Sequence, residues 1–137
     1  AAAEIPLTVY GRGRQRRGFL AIRDTLRCVE LTVENPPPPG EYRVFNQFTE
    51  TFSIAELACL VAGRSRALGW DAQLEYLENP RIEAEEHYYN PTHSALVSLG
   101  LEPHVLASVL ENGLLHHVRR FAPRIKRDII LPRVRWS

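Results

Sequence analysis

Four arginines fall within six positions, Arg12, Arg14, Arg16 and Arg17, with Gln15 among them and glycines at positions 11, 13 and 18. A guanidinium stays charged at any working pH, and its planar fork of N–H donors can meet two phosphate oxygens at once. The chemistry such a loop offers is therefore anion binding. From the residues alone three uses stay open: a solvated surface run, a nucleic-acid groove, or a clamp on a diphosphate. A net charge of +1 and the lack of aromatics interleaved with the arginines disfavour the groove. Arg81, an isolated arginine in an otherwise acidic stretch, adds weight to the clamp.

Glu83, Glu85, Glu86 and His87 are the other residues whose types suggest chemistry, as metal ligands or as an acid/base pair. Alternating glutamates on a loop are more often a solvated or arginine-paired face, and no second ligand set is visible. Adjacent positions on a helix point to different sides, so His116 and His117 cannot chelate together. His93 and His104 stand alone and read as surface residues. No Gly-x-Gly-x-x-Gly follows a strand pattern, no nucleophile elbow occurs, and the single lysine, Lys126, has Ala122 four positions before it in place of a tyrosine. The residues therefore assign no catalytic, cofactor-binding or metal-ligating role and stop at an anion-binding domain.

These residues must be positioned by short elements. Residues 5–10 read as a strand, 11–18 as a glycine-punctuated loop, and 19–22 as a second strand. Asp24 has the position of an N-cap for a helix whose apolar face is Leu26, Val29 and Val33, ending before Pro36. Four prolines and Gly40 form a stiff connection into a strand over 42–48. Ser53 and Glu56 have capping-box spacing and open a helix to Gly69, with Ile54, Leu57, Ala58, Val61 and Leu68 on one face. A strand over 71–77, a short helix from Asn90-Pro91 to Leu99, and a long helix from Pro103 to Phe121 follow, with Ile129, Ile130, Leu131 and Trp136 packed as a final extended arm. Few strands and four helices make an α+β layer arrangement in one domain over residues 1–137.

Composition sets the limits on function. Apolar residues at 45% and charged residues at 24% describe a globular chain with no run long enough to span a bilayer. Cys28 and Cys59 lie within helical patterns, without disulfide or zinc spacing, and suit a reducing cytosol. Sixteen of the 17 basic residues are arginine, a bias that suggests a GC-rich bacterial gene. The chain opens on three alanines and contains no Met, as a piece of a longer protein would.

At Tyr10-Gly11, at Arg17-Gly18-Phe19-Leu20-Ala21-Ile22-Arg23-Asp24, at Arg81 with Asn90-Pro91, and at Leu99-Gly100-Leu101-Glu102-Pro103, the sequence resembles the substrate half of extended short-chain dehydrogenases, within the NAD(P)-binding Rossmann-fold superfamily. The stretches 43–50 and 80–90, the latter carrying Glu83 to Tyr89 and lacking the glycine usual in epimerases and dehydratases, are similar to the UDP-sulfoquinovose synthase branch of that family. The likeness runs from Ile5 to Trp136. It implies that Arg17 and Arg81 reach the diphosphate of a UDP-sugar, with Gln15 and Tyr10 adding polar contacts; on the residues alone Tyr10 could equally be a strand-end core aromatic.

For a whole enzyme the resemblance implies oxidation of UDP-glucose at C4 by NAD, loss of water across C5 and C6, addition of sulfite at C6 and return of the hydride, giving UDP-sulfoquinovose for sulfolipid. The Gly-rich cofactor loop and the catalytic Thr, Tyr and Lys belong to an N-terminal Rossmann half that this chain does not include. That half also carries most of a homodimer interface. The resemblance implies a bacterial cytoplasm, or a chloroplast for plant relatives. Another sugar-nucleotide epimerase or dehydratase, and a non-catalytic nucleotide-sugar-binding module, are the competing readings. Helices built to cover an absent sheet should leave apolar faces open.

Overall fold

The computed structural model describes residues 1–79, 92 and 94–130. Along them run β1 (Leu7–Tyr10), β2 (Arg16–Phe19), α1 (Ile22–Glu34), β3 (Glu50–Ser53), α2 (Ile54–Ala67), β4 (Leu74–Leu77) and α3 (Ser94–Ser98). A last helical run follows, made of α4 (Leu106–Val109), a π turn (Leu110–Leu114) and α5 (Leu115–Phe121), with 3₁₀ turns at Ala122–Arg124 and Arg127–Ile129. The α+β arrangement is as expected, with two separate two-stranded sheets. β1 pairs with β4 in parallel, Leu7 against Leu74 and Tyr10 against Leu77. β2 pairs with β3 in an antiparallel ribbon, Arg16 against Ser53 and Phe19 against Glu50.

α2 follows its sequence closely. Ser53 is the N-cap, its hydroxyl accepting from the Glu56 N–H at 3.1 Å while the Glu56 carboxylate accepts from the Ser53 N–H at 2.7 Å, so two orphan donors are satisfied reciprocally. The helix closes at Leu68, where the Gly69 N–H donates to the Arg66 carbonyl and the Trp70 N–H to the Ser65 carbonyl. Ala62 and Ser65 are its buried residues, and the expected apolar face lies half-buried beside them.

α1 departs from its expected form in two ways. Its N-cap is Ala21, with no side-chain cap, and Asp24 sits inside the first turn. The residues it buries are Asp24, Cys28 and Leu31, whereas Leu26, Val29 and Val33 point outward at 62%, 50% and 73% exposure, with Ile22 beside them at 76%. The helix carries two apolar stripes. The core of Cys28, Leu31, Leu96 and Leu101, with Leu20 and Phe45 packed against it, covers the narrower one.

The strand expected over 19–22 falls earlier, as β2, because α1 begins at Ile22. The strand expected over 42–48 does not form: Phe48 is buried and Phe45 packs on the core, but Tyr42 and Val44 stand 87% and 79% exposed, and no described strand lies alongside to ladder with this segment. A strand needs a neighbour for its backbone groups, and within the described residues there is none.

The last helix starts at Leu106, after an N-cap at Val105, so Pro103 precedes it. It widens into the π turn where Gly113 interrupts the run. Ile129 and Ile130 lie in and after a 3₁₀ turn and are exposed, not packed as an extended arm. Leu131, Trp136, Asn90, Pro91 and the expected start of the short helix lie outside the described residues, and α3 carries the remainder of that helix.

Candidate functional site

β1 delivers Tyr10, half-buried, to its last position, and the Gly11 N–H that follows donates to the Leu77 carbonyl at 2.8 Å. The chain then folds back, so that a Cβ at Gly13 would stand 2.6 Å from Val9 Cγ1. This fold-back sets the loop on the start of α2. The Ile54 N–H donates to the Gln15 carbonyl at 3.2 Å and the Ala55 N–H to the Gly13 carbonyl at 2.9 Å. With Glu56 N–H held by Ser53, the first donors of α2 are all used within the protein. Its N-terminus is therefore not where an anion would sit, in spite of the arginines around it.

Arg17 stands in the middle of the ribbon, opposite Phe52, and alternation puts it on the same face as Phe19. Phe19 and Phe52 pack with ring centroids 6.0 Å apart. The Arg17 guanidinium donates to the Arg16 carbonyl at 2.9 Å, which curls its stem along the ribbon. Gly18 is required by contact: a Cβ there would lie 2.6 Å from Phe48 Cγ.

Arg16 is an exposed charge with partners inside the chain. It pairs with Glu56 at 3.3 Å and donates to the Thr51 carbonyl at 3.1 Å. The Ser53 backbone N–H and then the Ser53 side chain hold the Glu56 carboxyl below its ordinary value; burial opposes them, and Arg16 adds smaller lowering effects. Arg12 and Arg14 are exposed on the loop.

Tyr10, Gln15 and Arg17 thus follow one another along the end of β1, the loop and the ribbon. Arg81, with Glu83, Glu85, Glu86, His87 and His93, lies outside the described residues. Among the described residues no group of His, Cys, Asp and Glu could hold a metal ion. Cys28 is buried, and burial followed by the Asp24 carboxylate pushes its thiol up; Cys59 is exposed, and the two are unpaired. No described helix is long and apolar enough to cross a membrane.

Two open depressions, of about 440 and 460 Å³, are lined by residues such as Ile5, Trp70 and Gln73 in one and Asn35, Tyr42 and Gln47 in the other. Neither includes Tyr10, Gln15 or Arg17.

Sequence reasoning missed a set of contacts beside the ribbon. Asp24 is 2% exposed, and its two oxygens take the His104 backbone N–H at 2.7 Å and His104 Nδ1 at 2.5 Å. The Glu50 carboxylate accepts from the Leu106 N–H at 2.5 Å. His104 is thus not a lone surface residue. No spacing in the sequence signalled it, because Asp24 reads there as an N-cap and only the structure sets it inside the first turn.

No family model matches the chain. It is 48% identical over its whole length to the chloroplastic UDP-sulfoquinovose synthase of Spinacia oleracea, covering 28% of that protein. Over 96% of its length it is 41% identical to the UDP-sulfoquinovose synthase of Sulfolobus acidocaldarius, covering 34% of that one. The fold is similar to the UDP-glucuronic acid 4-epimerase of Bacillus cereus, solved with UDP-glucuronic acid and NAD, at TM-score 0.62 and 24% identity, covering 85% of this chain and 36% of the other. A variant of that epimerase, solved with a 4-deoxy-4-fluoro analogue and NAD, gives TM-score 0.60 and 25% identity over 88% of this chain and 36% of its own. The chain thus spans about a third of the length of the relatives it matches, at their C-terminal end.

Proposed function

We propose, for a chain that belongs with the UDP-sulfoquinovose synthases and matches a C-terminal portion of them, that these residues hold the UDP end of UDP-glucose while an N-terminal Rossmann portion performs the chemistry. The observation that carries this is the 48% identity over the whole chain, which includes the loop and ribbon bearing Tyr10, Gln15 and Arg17. The lower identity to the epimerases, 24–25%, favours sulfoquinovose synthesis over 4-epimerisation. In this reading Arg17 and Arg81 grip the diphosphate from opposite sides, Gln15 and Tyr10 contact the phosphates or sugar, and sulfite is the second substrate. The full-length enzyme acts as a homodimer in the bacterial cytoplasm, where the two free cysteines stay reduced.

These residues do not fit NAD. Among the described residues there is no Gly-rich turn between a strand and a helix, and the first donors of α2, a well-capped helix N-terminus near the arginines, are already bonded. NAD is therefore assigned to the N-terminal portion, where it would accept and return the hydride. What this chain supplies is position: charge-assisted bonds to a remote diphosphate restrict the substrate so that the hexose meets the reacting groups in one orientation. The outward stripe of α1 and the unladdered segment at 42–47 are surfaces such an N-terminal sheet would cover.

The test is calorimetric titration of UDP into the full-length protein. Arg17→Ala or Arg81→Ala should each weaken binding about ten- to hundredfold, the equivalent of roughly 1.5–3 kcal/mol of charge-assisted bonding. Lysine at either place should rescue only in part, because an ammonium lacks the planar fork. Arg14→Ala is the control, since Arg16 also anchors Glu56. Equal losses at Arg14 and Arg17 would mean a diffuse basic patch and would sink the assignment.

A further inference from the structure

We propose that Glu50 is a positioning residue for the nucleotide-sugar site. With Asp24 it clamps the start of the last helical run against the ribbon and so fixes where Arg17 stands. This rests on the reading of Arg17 as a diphosphate ligand.

The N-cap of the last run, Val105, has no side-chain oxygen to offer its helix. The donors on either side of it are satisfied from far away in the chain. The His104 N–H goes to Asp24, 80 residues distant, and the Leu106 N–H to Glu50, 56 residues distant. Asp24 holds His104 twice, through backbone and ring, and is almost wholly buried, so its orientation is fixed. Two carboxylates from two elements thus take the donors that flank the cap, a different set from the N–H groups a capping serine or aspartate would reach. In exchange they tie α1 and β3 to residues 104–106.

The place of the tie gives it a function. Glu50 faces Phe19 in the ribbon register, and Phe19 is two residues from Arg17 on the same face. The Thr49 N–H to Phe19 carbonyl bond, at 3.0 Å, extends the ladder at that end. Asp24 lies on the helix into which β2 leads. At the other end of the ribbon, Arg16, Glu56 and Ser53 form the linked set already described. An isolated two-stranded ribbon is marginal in water. This one is held at both ends, with Arg17 between the anchors. Release of the Glu50 end would let the guanidinium shift, and small displacements of a positioning group are costly in binding and orientation.

The experiment uses the full-length protein, with UDP titrated calorimetrically and steady-state kinetics in UDP-glucose. Glu50→Ala should weaken UDP binding about three- to tenfold, the range of residues that modulate a site without touching its ligand. KM should rise to match, while kcat at saturation stays within about twofold of the parent. Glu50→Gln keeps a carbonyl acceptor for the Leu106 N–H and should recover most of the loss. Glu50→Asp, with the carboxylate drawn back by one methylene, should fall between them and serves if the alanine variant does not fold. In Arg17→Ala protein, the Glu50 change should cost nothing further, because its effect passes through Arg17. Parental affinity in the Glu50 variants, with Arg17→Ala still weak, overturns the inference and leaves the diphosphate reading standing. Additive losses also overturn it, since they mean general destabilisation. Parental affinity in Arg17→Ala itself removes the reading on which the inference rests.

Discussion

The β2–β3 ribbon and the outer face of α1 are neighbours in sequence and opposites in physics. The ribbon is only four residues long on each strand, yet both its ends are bonded to other elements and Gly18 packs hard against Phe48. α1 is a 13-residue helix with an apolar stripe of Ile22, Leu26, Val29 and Val33 that stands 50–76% exposed within the described residues. The ribbon, where the proposal places the ligand, is tied down within this chain, and the α1 stripe is left largely exposed. In the proposed reading, binding geometry and fold completion fall to different surfaces of the same short stretch.

The largest expected effect follows from what the ribbon can and cannot do. In the proposed reading it holds an anion, and the sequence has neither a Gly-x-Gly-x-x-Gly turn nor a Tyr-x-x-x-Lys pair to accompany it. The 137-residue chain incubated with UDP-glucose, sulfite and NAD should make no UDP-sulfoquinovose, followed by chromatography of the nucleotide-sugar pool. Product from the purified chain would break the division between holding and reacting.

The second prediction sets the two surfaces against each other. Gly18→Ala forces a Cβ into the Phe48 ring and should destabilise the isolated chain by about 1–3 kcal/mol in denaturant titrations. Leu26→Ala, on the outward stripe, should change it by no more than about 0.5 kcal/mol. In the full-length protein the Leu26 change should cost about 2 kcal/mol or more, as expected for a leucine that has become buried. If Leu26→Ala harms the isolated chain as much as Gly18→Ala does, the stripe is already covered and the contrast is lost.

What was legible in the sequence divides along the same line. α2 was readable because its signal is local: the Ser53 and Glu56 pair caps the helix within four residues, and Gly69 ends it. The strand at 42–48 was misread because alternation announces a strand but not its partner, and no described neighbour pairs with it. The face of α1 was misassigned because both stripes have helical spacing, and only packing on Leu96 and Leu101 selects the one with Cys28 and Leu31. Asp24 with His104 and Glu50 with Leu106 were out of reach, since nothing in spacing joins residues 80 and 56 positions apart. Arg17 was singled out by resemblance; charge alone did not separate it from Arg16, whose structural pairing with Glu56 no local rule shows.

The smallest expected effect is at that Arg16 end of the ribbon, and its sign can be worked out. Bonds from Ser53 and the charge of Arg16 keep the Glu56 carboxyl below its ordinary value in the folded chain. As pH falls, the unfolded state therefore takes up its proton first. The stabilisation is complete above the ordinary carboxylate range and is lost as pH drops through the lowered folded value. Glu56 and Arg16 are about half exposed, so solvent screening leaves an ion-pair contribution of about 0.2–1 kcal/mol. Denaturant titrations across the acidic range should show the parent chain converging on Glu56→Gln as pH falls, with the gap between them open near neutrality and smaller in high salt. A gap that widened toward acid would mean that the Glu56 carboxyl is raised, not lowered, on folding. The Arg16 end of the ribbon would then be held by the Thr51 carbonyl and the strand ladder without help from the capping box.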